Sequence, residues 1–219
     1  MKHASTVLVM ATAVMGACAA SAQEELSPIT LNAPDLNRPA SLMQAFSKRA
    51  SCTNYSDRAL APQDLSDLLW AANGINRPDI KKRTAPSGMN AQDIDIYVFL
   101  AGGAYLYDAA ASVLKPVATG DFRAQATTQQ LAQGVPLPPA LLVLISDVSR
   151  FKNTQDDAAK LKLAAFDAGI VSQNISLFCA GAGLGTRCRA SVNVPKLKEI
   201  LKLSDTQIPL LDHPVGYNK

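Results

Sequence analysis

Pro86-Ser87-Gly88-Met89-Asn90-Ala91-Gln92 leads, one residue later, into Ile94-Asp95-Ile96-Tyr97-Val98-Phe99. The first stretch is a turn rich in small residues and free backbone N–H groups, and it carries two carboxamides. The second alternates apolar and polar residues, which predicts a strand. Gly102-Gly103 then reverses the chain into a second strand, Ala104 to Tyr107. A third short strand is predicted around Val113 to Val117, and the continuous apolar run Ala140 to Ser146 predicts a strand buried on both faces.

Helical signals lie on either side. Ser41 is placed to cap a helix from Leu42, with Leu42, Ala45 and Phe46 on one face. Pro62 opens another, with Leu65, Leu68, Leu69 and Ala72 inward and Gly74 at its end. Arg77 to Gln92 reads as a loop, and Asp121 to Ala132 as a helix ending near Gly134. A long helix starts at Thr154 or Gln155 and ends near Gly183; its second half is apolar on most sides, which predicts a buried central helix. Arg187 to Val192 alternates as an exposed-edge or site-lining strand would. Pro195 starts a last helix to about Lys202, and Ile208 to Leu211 is a final short strand. Strands and helices intermingle without strict βαβ alternation, so the expected class is α+β.

The 219 residues are 48% hydrophobic, 18% charged and 5% aromatic, enough for one sizeable core and typical of a globular chain. The formal charge of +3 gives no case for nucleic acid or an anionic membrane surface. Met1-Lys2-His3, the uncharged run Thr6 to Ala17 and Ala20-Ser21-Ala22 have the form of a secretory signal peptide cleaved after Ala22. Met15-Gly16-Ala17-Cys18 offers a second reading, a lipoprotein box with Cys18 lipidated, although Met is a poor match at its position. Either way the chain is expected to be exported, periplasmic or secreted.

Without that leader, Cys52, Cys179 and Cys188 remain, an odd number with no Cys-x-x-Cys or Cys/His pairing that suggests metal. His213 is then the one histidine left. A Ser-His-Asp hydrolase would rest on it alone, so a structural or surface histidine is the better reading.

Three further stretches bear on chemistry. Arg49-Ala50-Ser51-Cys52-Thr53-Asn54-Tyr55 offers an arginine fork and a hydroxyl to an anion, although Lys48 and Arg49 equally suit a helix C-terminus. Asp167-Ala168-Gly169, Gln173-Asn174 and Gly183-Leu184-Gly185 bring small residues to the long helix and the turn after it. That glycine run ends a helix rather than opening one, so it is no dinucleotide fingerprint. Val215-Gly216-Tyr217-Asn218-Lys219 closes the chain.

Taken together, these motifs resemble the nitroreductase-like family from about Phe46 to the end. The turn matches its Pro-Ser-x-x-Asn-x-Gln pattern. Arg83-Thr84-Ala85 before the turn, and Leu69-Trp70-Ala71-Ala72-Asn73-Gly74, resemble the subgroup called SagB-type dehydrogenases. The chain is thus expected to divide into a signal peptide over 1–22, a loose segment over 23–40 and, as the resemblance implies, a nitroreductase-like domain over 41–219. The implied fold is a mixed, mainly antiparallel sheet wrapped by helices, closed as a homodimer with FMN between subunits.

Residue by residue, the resemblance assigns Arg49 and Ser51 to the FMN phosphate and ribityl chain, with Ala50 and Thr53 standing where the family carries two more basic residues. It assigns Pro86, Ser87, Asn90 and Gln92 to the ring, Arg83 to the pyrimidine or phosphate, and Lys219 to the phosphate. Arg189, Ala190 and Ser191 fall where the family sets backbone N–H groups against flavin N5; a donor there stabilises the charge that builds up on reduction. Cys188 replaces the usual proline, and Asn218 the proline of the C-terminal motif. The implied activity is an FMN-dependent oxidoreductase taking electrons from an NAD(P)H-type donor to a small acceptor, with no catalytic acid or base required of the side chains. The alternative is an exported flavin- or ligand-binding protein with little turnover, which the two missing basic residues favour.

Overall fold

A computed structural model describes residues 25–129, 136–154 and 156–219. In chain order the elements are β1 (Ile29–Thr30), α1 (Leu42–Lys48), α2 (Pro62–Asn73), β2 (Ile75–Arg77), β3 (Lys82–Arg83), β4 (Ile94–Leu100), β5 (Gly103–Asp108), β6 (Val113–Thr119), β7 (Ala140–Asp147), α3 (Asp157–Ala182), β8 (Leu184–Thr186), α4 (Val194–Leu201) and β9 (Gln207–Tyr217). Seven strands form one sheet in the order β1-β6-β5-β4-β7-β9-β8, and every neighbouring pair in it is antiparallel. This is the α+β class expected from the sequence. The signal-peptide segment 1–22 and the predicted helix end near Gly134 lie outside the described residues.

β7 explains the layering. Its whole apolar run is buried, and alternate side chains enter two different cores. Leu142 and Leu144 join Ile96 and Val98 of β4, under α2 and α3. Leu141, Val143 and Ile145 join Tyr97 and Phe99, under Leu197 and Leu201 of α4. One strand with no polar face therefore organises helices on both sides of the sheet.

Local signals set the helix ends. Ser41 and Gln44 form a reciprocal capping box at α1, and Pro62 opens α2 where its missing N–H costs nothing. Gly183 ends α3 at φ 72°, a left-handed conformation that glycine adopts without a Cβ penalty.

Several expectations change. On α1 only Ala45 is buried; Leu42 and Phe46 stand in solvent, because the helix lies flat on α3 along its small residues. Asp121 to Gln129 forms turns rather than a helix: Arg123 bonds to Asp121 and to the Pro138 carbonyl, and Ser191 O draws in Thr128 N. Arg187 to Val192 makes isolated bridges instead of a strand, the strand being Leu184–Thr186. The final strand is eleven residues long rather than four. The segment read as a loose lead-in is tied down: β1 pairs with β6, and Arg38 reaches Asp64 and Asp67 of α2 while lying over the Phe178 ring.

α3 is buried on one side only. Ala164, Ala168, Val171 and Ile175 enter the core, whereas Leu161 (47% exposed), Phe166 (56%) and Ile170 (36%) do not. Its length and apolar composition would suit a membrane span, yet part of that apolarity is spent on the sheet and α2. Leu144→Ala should cost about 2–5 kcal/mol in a urea melt, the range for truncating a fully buried leucine. A loss below about 1 kcal/mol would mean this face of β7 is loosely packed.

Candidate functional site

The Arg49–Tyr55 segment is stitched to the sheet edge by backbone bonds. Ser51 bridges Thr186, Cys52 N donates to Thr186 O at 2.9 Å, and Tyr55 bridges Asn218. Ser56 N donates to Tyr217 O, and Lys219 N donates to Asn54 O. Tyr217 anchors the tail in turn: its hydroxyl donates to Asp64 at 2.6 Å and accepts from Ala61 N, with Arg58 over its ring. Three remote stretches thus meet where β8 and β9 end.

They surround a cleft in two connected parts. One, about 490 Å³, is lined by Lys48, Ser51, Asn54, Ser176, Gly185 and Lys219 among others. The other, about 260 Å³, is lined by Arg49, Arg187, Gln173 and Cys188. Ala50, Ser51, Ser176 and Thr186 belong to both. Four cations border the cleft, and no aspartate or glutamate is among its described lining residues. Its field therefore favours an anion. Gly185 forms part of the wall, and there a Cβ would collide with Asn218 and lie 2.6 Å from Cys52 Sγ. Only a residue without a side chain lets these strands close up.

The assignment made from sequence missed Lys48 and Arg187. Arg187 supplies charge to the cleft that Ala50 and Thr53 lack. Its Nε is buried with no partner among the described residues, and Nη2 donates to Gln129 at 3.0 Å. A basic residue just after a helix-ending Gly-x-Gly was the available signal.

The Pro86–Gln92 turn lies elsewhere. Ser87 Oγ accepts from Gln92 N at 2.9 Å, and Gly88 N donates to both carboxylate oxygens of Asp167 on α3, at 2.8 and 2.9 Å. Met89, Asn90 and Gln92 all take positive φ. Left-handed backbone costs non-glycine residues roughly 1 kcal/mol or more each, so the surroundings must hold the turn in shape. Arg83 does part of this, donating from Nε to Gln92 Oε1 at 2.9 Å and from Nη1 to Asn73 O at 2.8 Å. Burial lowers the pKa of its guanidinium. Gln92 Nε2 donates to Lys81 O, and Arg150 donates to the Gln92 carbonyl. Arg83 and Gln92 are thus braces of the turn. The Asn90 carboxamide is exposed and has no partner among the described residues, which leaves it free to read a ligand edge.

The turn and the cleft sit on opposite faces of α3. Asp167 meets the turn, and Ser176 lines the cleft. Nine residues at 100° each set them about 180° apart around the helix and about 13 Å apart along it. The void between turn and helix, lined by Arg83, Ser87 and Asp167, is only about 10 Å³.

Of the Arg189–Ser191 assignment, the arginine is the part that changes. Its Nε is paired with Asp212 at 2.5 Å deep in the protein, and it lines a separate cavity of about 310 Å³ with Arg123 and Leu141. The partner across the sheet, 23 residues on, was invisible in the local sequence. The backbone N–H groups of Ala190 and Ser191 have no acceptor among the described residues. His213 is fully buried between Ser172 Oγ (2.8 Å from Nε2) and Thr186 Oγ1 (3.1 Å from Nδ1), a structural role.

The fold is that of a known class. Residues 46–217 match the model of the nitroreductase family. A candidate nitroreductase of Methanocaldococcus jannaschii is 25% identical over 190 residues, covering 84% of this chain and 93% of that protein. The crystal structure of a candidate nitroreductase from Ralstonia eutropha superposes with a TM-score of 0.80 at 32% identity, covering 88% of this chain and 90% of that one. A chain of the E. coli microcin synthetase complex shares the fold, with a TM-score of 0.68 at 20% identity over 78% of this chain and 70% of that one. The chain belongs to the nitroreductase family and is an oxidoreductase.

Burial, and then the nearby Arg189, depress the pKa of His213 to about 4. The unfolded chain takes up this proton near pH 6.5, so His213 should cost stability as pH falls from about 6.5 towards 4. His213→Gln should flatten that part of a plot of Tm against pH. An unchanged slope would show that His213 titrates in the folded protein as it does in the unfolded chain.

Proposed function

We propose that the chain is an FMN-dependent oxidoreductase that passes reducing equivalents from an NAD(P)H-type donor to a small acceptor, and that its FMN site is completed by a second copy of the chain. The supporting observation is the division of the site across α3. One face carries a basic cleft free of acidic lining residues, suited to a phosphate and ribityl chain. The other carries the carboxamide-bearing turn, suited to a ring edge. A flavin spans only one of these surfaces in a single chain. A two-fold partner brings its own turn to the cleft. Phe166 and Ile170, exposed one turn apart on the same side of α3, mark the surface such a partner would cover.

The residues fit the cofactor. Arg49, Arg187, Lys48 and Lys219 would hold the phosphate and Ser51 the ribityl chain, while the partner's turn would offer Asn90 to the pyrimidine. The free N–H groups of Ala190 and Ser191 are suited to N5. Bound FMN would supply the redox chemistry itself, accepting a hydride equivalent from the donor and delivering it to the acceptor. The chain's own part is to bind, orient and shield the ring. Arg83-Thr84-Ala85 and Leu69-Trp70-Ala71-Ala72-Asn73-Gly74 support placing it with the SagB-type dehydrogenases, and the leader supports export.

Titration of the mature chain with FMN should give a yellow protein that bleaches when NADH or NADPH is added anaerobically. Arg187→Ala should weaken FMN binding by about tenfold or more, as loss of a charge-assisted bond to phosphate costs roughly 1.5–3 kcal/mol. Yellow protein inert to every donor would favour a flavin binder. Absence of FMN uptake would overturn the proposal.

A further inference from the structure

The Pro86–Gln92 turn is held to α3 through one side chain, Asp167, and a second carboxyl stands directly behind it. Asp93 follows the turn and is fully buried. Its Oδ2 accepts from Ser146 Oγ of β7 at 2.5 Å. Its Oδ1 is buried and has no donor among the described residues, and the Asp93 carboxyl stands within hydrogen-bonding reach of the Asp167 carboxyl, itself buried. Two bare carboxylates in that position would repel each other in a poorly solvated space and leave an oxygen unsatisfied. One proton between them removes both penalties.

We propose that Asp93 is a positioning residue kept as a neutral acid, that it donates its O–H to Asp167, and that this shared proton fixes Asp167 where it grips the turn. The flavin-facing role of the turn rests on the function proposed above; the shared proton does not.

The arginines nearest the pair are bonded to other groups, and Arg150 acts on Asp93 only as a charge through space. Arg150 is paired with Asp95 of β4 and Asp147 of β7, and Arg83 of β3 is spent on Gln92 and Asn73. Tyr107 of β5 faces Arg83 rather than the pair. On α2, Asn73 donates to the Ile94 carbonyl. Among the described residues neither arginine donates to Asp93 or Asp167. Burial first, and then Asp167, raise the pKa of Asp93 to about 7.

The sign follows. In a locally opened or unfolded chain Asp93 ionises near pH 4. The closed form therefore binds the extra proton between about pH 4 and 7 and loses stability as pH rises through that window, with a plateau above it. His213 acts in the opposite direction over much of the same range, so the total stability hides the effect and a local measurement is needed.

The test uses the cofactor-free chain with ¹³C-carboxyl aspartate, the Asp93 signal being assigned by its loss in Asp93→Asn. A titration midpoint between about pH 6 and 8 is expected, and one below about pH 5 overturns the proposal. The second reading is the exchange protection of the Gly88 amide. In the native chain it should fall from pH 5 to 7, by at most about tenfold per unit, and then level off. In Asp93→Asn, whose amide still donates to Asp167, it should stay flat; equal slopes in both proteins overturn the proposal. Should the variant fail to fold, Asp93 is assigned from backbone-linked spectra of the native chain, and its midpoint decides alone. Neither reading involves FMN, so a failure of the flavin proposal is separately visible.

Discussion

A single 26-residue helix has to satisfy two opposed surfaces, and most of the structure follows from how α3 does so. Its inner face, with Ala164, Ala168, Val171 and Ile175, closes the core above β4 and β7. Small residues let it approach the sheet, and the left-handed Gly183 turns the chain straight into β8, whose wall residue Gly185 admits no side chain. The same rigid rod presents Asp167 to the turn on one side and Ser176 to the basic cleft on the other. Moving α3 would displace both. The proposed shared site is a consequence of that geometry: a packed helix about 10 Å thick stands between two surfaces that one flavin would have to touch.

Buried charge is dealt with differently in three places. Arg189 and Asp212 neutralise each other across the end of the sheet. His213 stays neutral between two hydroxyls. Asp93 has no cation bonded to it among the described residues, and a proton serves in place of one in the proposal made for it. In the cleft the charge is instead left without carboxylate partners among the described residues, at Arg49, Arg187, Lys48 and Lys219. Unpaired cations at a surface cleft keep their attraction for an anionic ligand, whereas the buried pairs hold the strands that shape it.

Elements with a strong local period were legible in the sequence: the alternation of β4, the apolar run of β7, the Pro62 start of α2 and the Gly183 end of α3. The family motifs located the turn and the cleft. What could not be read depends on partners far away in the chain. Asp212-His213-Pro214 looks unlike a strand because its polar groups are satisfied by Arg189, Ser172 and Thr186. Arg189 and Arg83 looked like ligand-binding arginines until Asp212 and Gln92 were seen to hold them. Arg38 ties down a segment that composition marks as loose, through two aspartates of α2. The exposed side of α3 was read as buried because composition reports apolarity, not what covers it.

The most direct measurement of the central claim, that each FMN site draws on two copies of the chain, is complementation. Arg187→Ala damages the cleft and leaves the turn intact; Gly88→Val damages the turn, where a Cβ already lies 2.9 Å from Leu163, and leaves the cleft intact. Neither variant alone should hold FMN well. Mixed in equal amounts and allowed to exchange, they should recover tight binding at up to about a quarter of the sites, since half of the dimers are mixed and each has one undamaged site. If mixing restores nothing while both variants remain folded and exchange partners, the site lies within one chain and the account is wrong.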